Sequence, residues 1–182
     1  QVRLWFYSLL FMSVVLEGKA PYKKVMTHES VVKEDGGRFN KSGYMIKFDD
    51  AAEIMGADTI RYLYASAPLS NNVRFGYGLG DEVKRKLLGF WNAYIFYNTY
   101  ASIDEPKLDG YKPQIDTLNI TDKWLLERTA GFVDLATKNY DDFEIASTIK
   151  EFETYVDDLT NWYIRINRRR FWKNEGTDQL NA

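Results

Sequence analysis

The sequence predicts a mixed, mainly α fold: an α/β segment over residues 1–76, then an antiparallel α-helical bundle over residues 77–182. Three observations point there. Helix, strand, loop and helix signals alternate through the first third, as an α/β layer requires. No convincing strand pattern follows Gly80. The last long helix repeats apolar residues at alternating four- and three-residue steps, the spacing of a helix packed along one seam.

Taken in order, residues 2–17 place Leu4, Trp5, Leu9, Met12, Val15 and Leu16 on one helical face, closed by Gly18. This apolar run is too short to span a bilayer and lacks a signal-peptide pattern, so a buried helix is expected. Pro21 opens an extended stretch. Residues 24–33 read as a strand around His28, and Glu34-Asp35-Gly36-Gly37 as a turn. Asp49 or Asp50 should cap a short helix ending near Gly56, and Asp58 a second one running to Ala67, with Pro68 as the stop.

The architecture should change between Asn71 and Gly80. Asp81 is the expected cap of a helix to Ala101 whose aromatic residues, Phe90, Trp91, Tyr94, Phe96, Tyr97 and Tyr100, read as core rather than as a base-stacking platform. Thr121 or Asp122 should cap a helix to Asn139, with Trp124, Leu125, Phe132 and Leu135 inward. The final helix begins at Asp142 and carries Ile145, Ile149, Phe152, Val156, Leu159, Tyr163 and Ile166 on its seam.

Composition narrows the function classes. A formal charge of −2 leaves nucleic-acid contact to local patches rather than to a global basic field. With no cysteine, disulfides and thiolate metal sites are excluded, and a reducing compartment fits. One histidine, His28, speaks against histidine metal sites and triads, so no metal site is expected. The chain does not start with Met, position 1 lies inside periodic sequence, and the last residues stop abruptly. A piece of a larger protein is the expectation.

The stretch GGRFNKSGYMIKFDDAAEIMGAD is the most informative for chemistry. Glycines let backbone amides face an anion, and Arg38 and Lys41, three apart on a segment too glycine-rich for a helix, can turn toward one ligand. On residue chemistry alone, a hairpin turn with solvated charges is the simpler reading, since short basic loops are common, and the anion-holding reading stays open beside it.

The surroundings carry a resemblance. The block HESVVKEDGGRFNKSGYMIKFDDAAEIMGADTIRYLYASAPLSNNVRFG resembles the second half of the catalytic domain of class I aminoacyl-tRNA synthetases. Arg38-Phe39-Asn40-Lys41-Ser42 falls on that family's Lys-Met-Ser-Lys-Ser signature. QVRLWFYSLL, GADTIRYLYASAP and NWYIRINRRRFWK bring the isoleucyl branch nearest. Only Lys41 and Ser42 match the signature identically. Arg38 keeps a charge, Phe39 an apolar anchor and Asn40 a small polar group.

The resemblance implies the closing half of a Rossmann-like α/β domain, followed by the start of a helical anticodon-binding domain. It implies ATP, with Mg2+ accompanying it in the parent enzyme, isoleucine and tRNA(Ile) as partners, and a cytoplasmic setting without a membrane. Lys41 and Arg38 would be the catalytic cations. Ser42, Asn40 and Gly37 would bind phosphate, and His28 would lie near adenine. The family's earlier His-Ile-Gly-His-type signature has no counterpart here, so the isolated chain is expected to be inactive. Residues here do not choose among isoleucine, valine and leucine.

In the helical half, Arg165, Arg169 and Lys173 lie at i, i+4 and i+8 with Trp172 near. They read either as a phosphate-contacting stripe on tRNA or as helix-end cations paired with Asp157, Asp158 or Glu175. Uncovered apolar surface on the bundle should favour self-association. A stand-alone tRNA- or protein-binding module with a decayed loop is the alternative to the enzyme reading.

Overall fold

A computed structural model describes residues 2–106, 109, 112 and 114–172. A π-helical lead-in, Val2–Phe6, enters α1 (Tyr7–Glu17), which ends on Gly18 at φ 66, a left-handed stop that glycine adopts without steric cost. An extended segment leads to β1 (Val31–Lys33). Then come α2 (Phe48–Met55), α3 (Ala57–Ser66), β2 (Val73–Phe75), α4 (Tyr77–Asp104), a 3-10 turn (Ile115–Thr117), α5 (Ile120–Asp142) and α6 (Ile145–Asp157). A π-helical segment, Asp158–Ile164, passes directly into α7 (Arg165–Trp172).

β1 and β2 pair in parallel, with Val31 opposite Val73 and Lys33 opposite Phe75, and the chain crosses between them through α2 and α3. The core gathers Ala51, Met55, Ile60, Tyr62, Leu63, Val73, Phe75 and Val83. Ile149 and Phe152 of α6 and Leu87 of α4 pack on it, so the sheet side and the helical side share one apolar centre. Glu153 ties this junction by accepting from Tyr62 Oη of α3 at 2.8 Å and from Lys86 Nζ of α4 at 2.8 Å.

α5 folds back against α6 and α7. Contacts climb α5 as they descend the other rod: Trp124 meets Trp162, Arg128 pairs with Asp158, Thr129 meets Tyr155, and Phe132 meets Phe152. At the far end Asp122, 4 % exposed, accepts two hydrogen bonds from Arg170, at 2.7 and 2.8 Å, and one from Tyr163 Oη at 2.8 Å. The Asn119 amide adds a longer one at 3.3 Å. Burial pushes the Asp122 carboxyl upward, but these donors and the Arg170 charge outweigh it and hold the group below its ordinary value.

Several sequence expectations are corrected here. The helix over residues 2–17 exists but is not buried: no residue of α1 is buried, and Leu4 and Leu16 are 76 % and 80 % exposed. The strand expected over 24–33 shrinks to three residues, because its partner β2 offers only three; His28 lies outside it. β2 escaped notice because three residues carry no readable alternation.

The acidic caps also move. Asp49, Asp50 and Asp58 sit inside first turns whose cap positions are Lys47 and Gly56. α4 begins at Tyr77, ahead of Asp81. Asn119, rather than Thr121 or Asp122, caps α5, in a box that Asp122 completes. Of the α4 aromatics, Trp91, Tyr94 and Tyr97 are more than half exposed and Phe90 is 43 % exposed, since a 28-residue helix outruns the neighbours that cover it. Ile166 is exposed and Asn167 buried: after Tyr163, which is buried as read, Asn167 is drawn inward by its bonds to Thr121 and Arg170.

α4 has no side-chain cap of its own, because Gly76 holds that position. Glu34, in the turn after β1, supplies it: Leu79 N–H donates to Glu34 Oε1 at 2.8 Å. A Cβ on Gly76 would collide with the Glu34 side chain, and one on Gly78 would stand 3.0 Å from Oε1, so both glycines admit the carboxylate.

Glu34→Ala should lower stability by about 1 kcal/mol, the usual worth of a helix cap, and expose the first amides of α4 to hydrogen exchange. Asp122→Ala should cost roughly 3–5 kcal/mol in urea unfolding, because it strands a buried guanidinium. Since Asp122 titrates lower folded than unfolded, its contribution is intact above about pH 4 and lost as pH falls through the folded value. Asp122→Asn should remove that part of the acid limb when urea midpoints are compared across pH.

Candidate functional site

The turn after β1 is built by Asp35. Its Oδ1 accepts from Gly37 N–H at 2.7 Å and its Oδ2 pairs with Lys33 at 3.2 Å. The Gly37 hydrogen bond, then the Lys33 ammonium, hold the Asp35 carboxyl below its ordinary value. Backbone bonds between Lys33 and Gly36 and between Lys33 and Gly37 close the turn, and a bridge between Val32 and Arg38 returns the chain alongside β1.

Phe39 then packs on the core and stacks with Tyr44 at 6.4 Å, pinning the base of the next loop. At the tip Asn40 Oδ1 accepts from Ser42 N–H at 3.1 Å and from Ser42 Oγ at 3.0 Å, while Gly43 N–H reaches Asn40 O at 3.1 Å. This is an Asx turn. It presents Lys41, with Arg38 three residues back, and both side chains are exposed. Among the described residues neither cation lies within ion-pair distance of a carboxylate, whereas Lys24, Lys33, Lys86, Arg128 and Arg170 all do.

The structure brings Arg38, Asn40, Lys41 and Ser42 together and leaves Gly37 one turn earlier, its amide already engaged. His28 stands apart. It is exposed, its Nδ1 lies 2.7 Å from Glu29 O, and it lines a cleft of about 750 Å³ with Tyr64, Pro68, Phe143 and Lys150. None of residues 37–42 lines that cleft.

On α7 the arginines divide by direction. Arg170 turns inward to Asp122. Arg165, Arg168 and Arg169 are exposed, and among the described residues none has an ion-pair partner; Asp158 is taken by Arg128. Arg165 and Arg168, not Arg165 and Arg169, line a common groove of about 520 Å³ against α4. The sequence reading took Arg169 over Arg168 because i+3 and i+4 both neighbour Arg165 on an α-helix, and only the packing of α7 against α4 selects between them. Lys173 lies outside the described residues.

A family profile for class I tRNA synthetases (I, L, M and V) matches residues 1–76, and one for the anticodon-binding domain of tRNA ligases matches residues 122–182. Isoleucine–tRNA ligase of Thermus thermophilus is 39 % identical over 181 residues, 96 % of this chain and 17 % of that protein. The enzymes of the same name from Clostridium novyi and Dehalococcoides mccartyi are each 36 % identical, over 98 % and 100 % of this chain and 17 % and 18 % of theirs. The chain thus spans about one sixth of the length of these curated relatives. With both profiles matching in order and the relatives aligned along nearly its whole length, the chain belongs to the class I tRNA synthetases, alongside the isoleucine–tRNA ligases.

Proposed function

We propose that this chain is a segment of an isoleucine–tRNA ligase, the cytoplasmic enzyme that activates isoleucine with ATP and transfers it to tRNA(Ile). In this reading residues 1–76 are the closing part of a Rossmann-like nucleotide domain and residues 77–182 open an antiparallel helical domain that holds the tRNA. The observation that carries it is the pair of uncompensated cations, Arg38 and Lys41, on an Asx-turned tip that aligns with the family's signature.

The physics is that of charge development. When the isoleucine carboxylate attacks the α-phosphate, negative charge grows on the departing pyrophosphate. Lys41 at the tip is the leading group to meet that charge, with Arg38 as the second cation. Ser42 Oγ is a further donor once its bond to Asn40 is exchanged for phosphate. Asn40 shapes the turn, and Gly37 contributes by setting its approach. His28 lines the neighbouring cleft, on the adenine side in this reading.

Among the described residues no group of three His, Cys, Asp or Glu side chains is arranged to hold a metal ion. In this reading Mg2+ accompanies ATP, on phosphate oxygens and water. None of the described helices is long and apolar enough to cross a membrane. Arg165, Arg169 and Lys173 are the residues this reading assigns to RNA phosphate.

A stand-alone RNA- or protein-binding module is the second reading, favoured by the three departures at Arg38, Phe39 and Asn40. A graft separates the two. Residues 36–47 placed in the Thermus thermophilus ligase should support isoleucine-dependent pyrophosphate exchange, and Lys41→Ala in the graft should lower it by about 100-fold or more. A graft that never exchanges favours the module, and an unaffected Lys41→Ala removes the enzymatic role. The isolated chain should also associate with itself through its uncovered apolar surface, the exposed face of α1 included: sedimentation should show concentration dependence that Met12→Glu with Leu16→Glu lowers.

A further inference from the structure

The groove between α4 and the π segment has the composition of a nucleotide site. Gly89, Asn92, Ala93 and Phe96 form one wall, and Thr160, Asn161, Ile164, Arg165 and Arg168 the other. Its volume, about 520 Å³, lies within the range of small-ligand sites, roughly 300–1,000 Å³. Three independent features converge on it.

The first is sign. Residues 83–103 and 159–172, which supply both walls, contain no Asp or Glu at all, in a chain with 26 of them. Arg165 and Arg168 have no ion-pair partner among the described residues, Asp158 is paired with Arg128 and Asp157 is bonded to Asn161, so positive charge prevails on this side of the groove. The second is a stacking surface. The Arg168 guanidinium lies 5.9 Å from the ring centres of both Phe96 and Trp172, within cation–π range of each. The third is backbone form. Thr160, Asn161 and Ile164 of the outer wall belong to the π-helical stretch Asp158–Ile164, a conformation that is rare in general and concentrated at functional sites.

A bare anion would need only the arginines. The carboxamides of Asn92 and Asn161 add directional donors and acceptors; Asn161 Nδ2 is bonded to Asp157, which leaves its carbonyl oxygen as an acceptor not used by that bond. Cations, an aromatic-backed planar group and amides together match the way proteins take unstacked nucleotides from single-stranded RNA.

We infer that this groove receives one unpaired nucleotide of an RNA loop, with its phosphate between Arg165 and Arg168 and its base edge on Asn92 and Asn161. The inference rests on the tRNA-binding part of the proposed function and adds the site, the residue Arg168 and the preference for unstacked over paired RNA.

The test uses the 182-residue chain and fluorescence anisotropy with three probes: labelled tRNA, an unstructured RNA oligonucleotide and a blunt RNA duplex. Expected are binding of the first two and weaker binding of the duplex. Arg165→Ala and Arg168→Ala should each weaken binding roughly tenfold and flatten the dependence of log affinity on log salt by about one. Arg168→Lys should keep the salt slope and still lose affinity, because an ammonium does not stack. Asn92→Asp should abolish binding, and the exposed, distant Lys138→Ala should change nothing.

Wild-type affinity in the two arginine variants, or equal affinity for the duplex, overturns the groove. So does a chain that binds no RNA. In that last case, exchange by the graft described above would show that the synthetase reading survives without this site. Folding of every variant is checked by thermal melting, which substitutions of these exposed side chains should leave unmoved.

Discussion

The helical half depends on one buried carboxylate. Asp122 sits at the start of α5 and is saturated by Arg170, Tyr163 and the Asn119 amide. A charge removed from water this far is tolerable only when nearly every lone pair is met. The requirement fixes three things together: the depth of α5 against α7, the rotation of α7, and therefore which of its arginines face outward. Asn167 extends the network, accepting from Thr121 Oγ1 at 3.1 Å and from Arg170 at 3.0 Å while donating to Tyr163 O. Polar satisfaction, rather than the apolar seam alone, sets the register at this end.

The sheet side obeys a different economy. Its two strands are three residues each, too few to hold anything by ladder hydrogen bonds alone. Their positions come from the core beneath them and from side chains that reach across: Glu34 to α4, Tyr62 and Lys86 to Glu153, and Lys24 to Asp142 at 3.1 Å. The cationic loop inherits its placement from these crossings. Phe39 anchors it below, and Asn40 folds its tip.

Much of this was legible in the sequence, for identifiable reasons. Glu34-Asp35-Gly36-Gly37 is a turn because an aspartate two residues before a glycine can accept that glycine's amide, and Asp35 does so. Gly18 stops α1 as read. The seam from Ile145 to Val156 faces inward as read. The errors share a cause: local patterns cannot report a partner far along the chain. Glu34, 45 residues before Leu79, displaced the expected acidic cap of α4. The exposed face of α1 has the periodicity of a buried helix, because periodicity records what a face is made for and not what covers it. Past Tyr163 the steps of three and four leave two choices, and the packing took Asn167 in place of Ile166 and Arg168 in place of Arg169.

The contact between Glu34 and the first turn of α4 joins two objects of very different reach. One is a turn a few ångströms wide at the foot of the cationic tip; the other is a rigid rod of 28 residues, about 40 Å long at 1.5 Å per residue. Farther along, Phe90 meets Phe152 and Phe96 meets Phe171, so a single unbroken helix connects the foot of the cationic tip to the rods that carry the outward arginines.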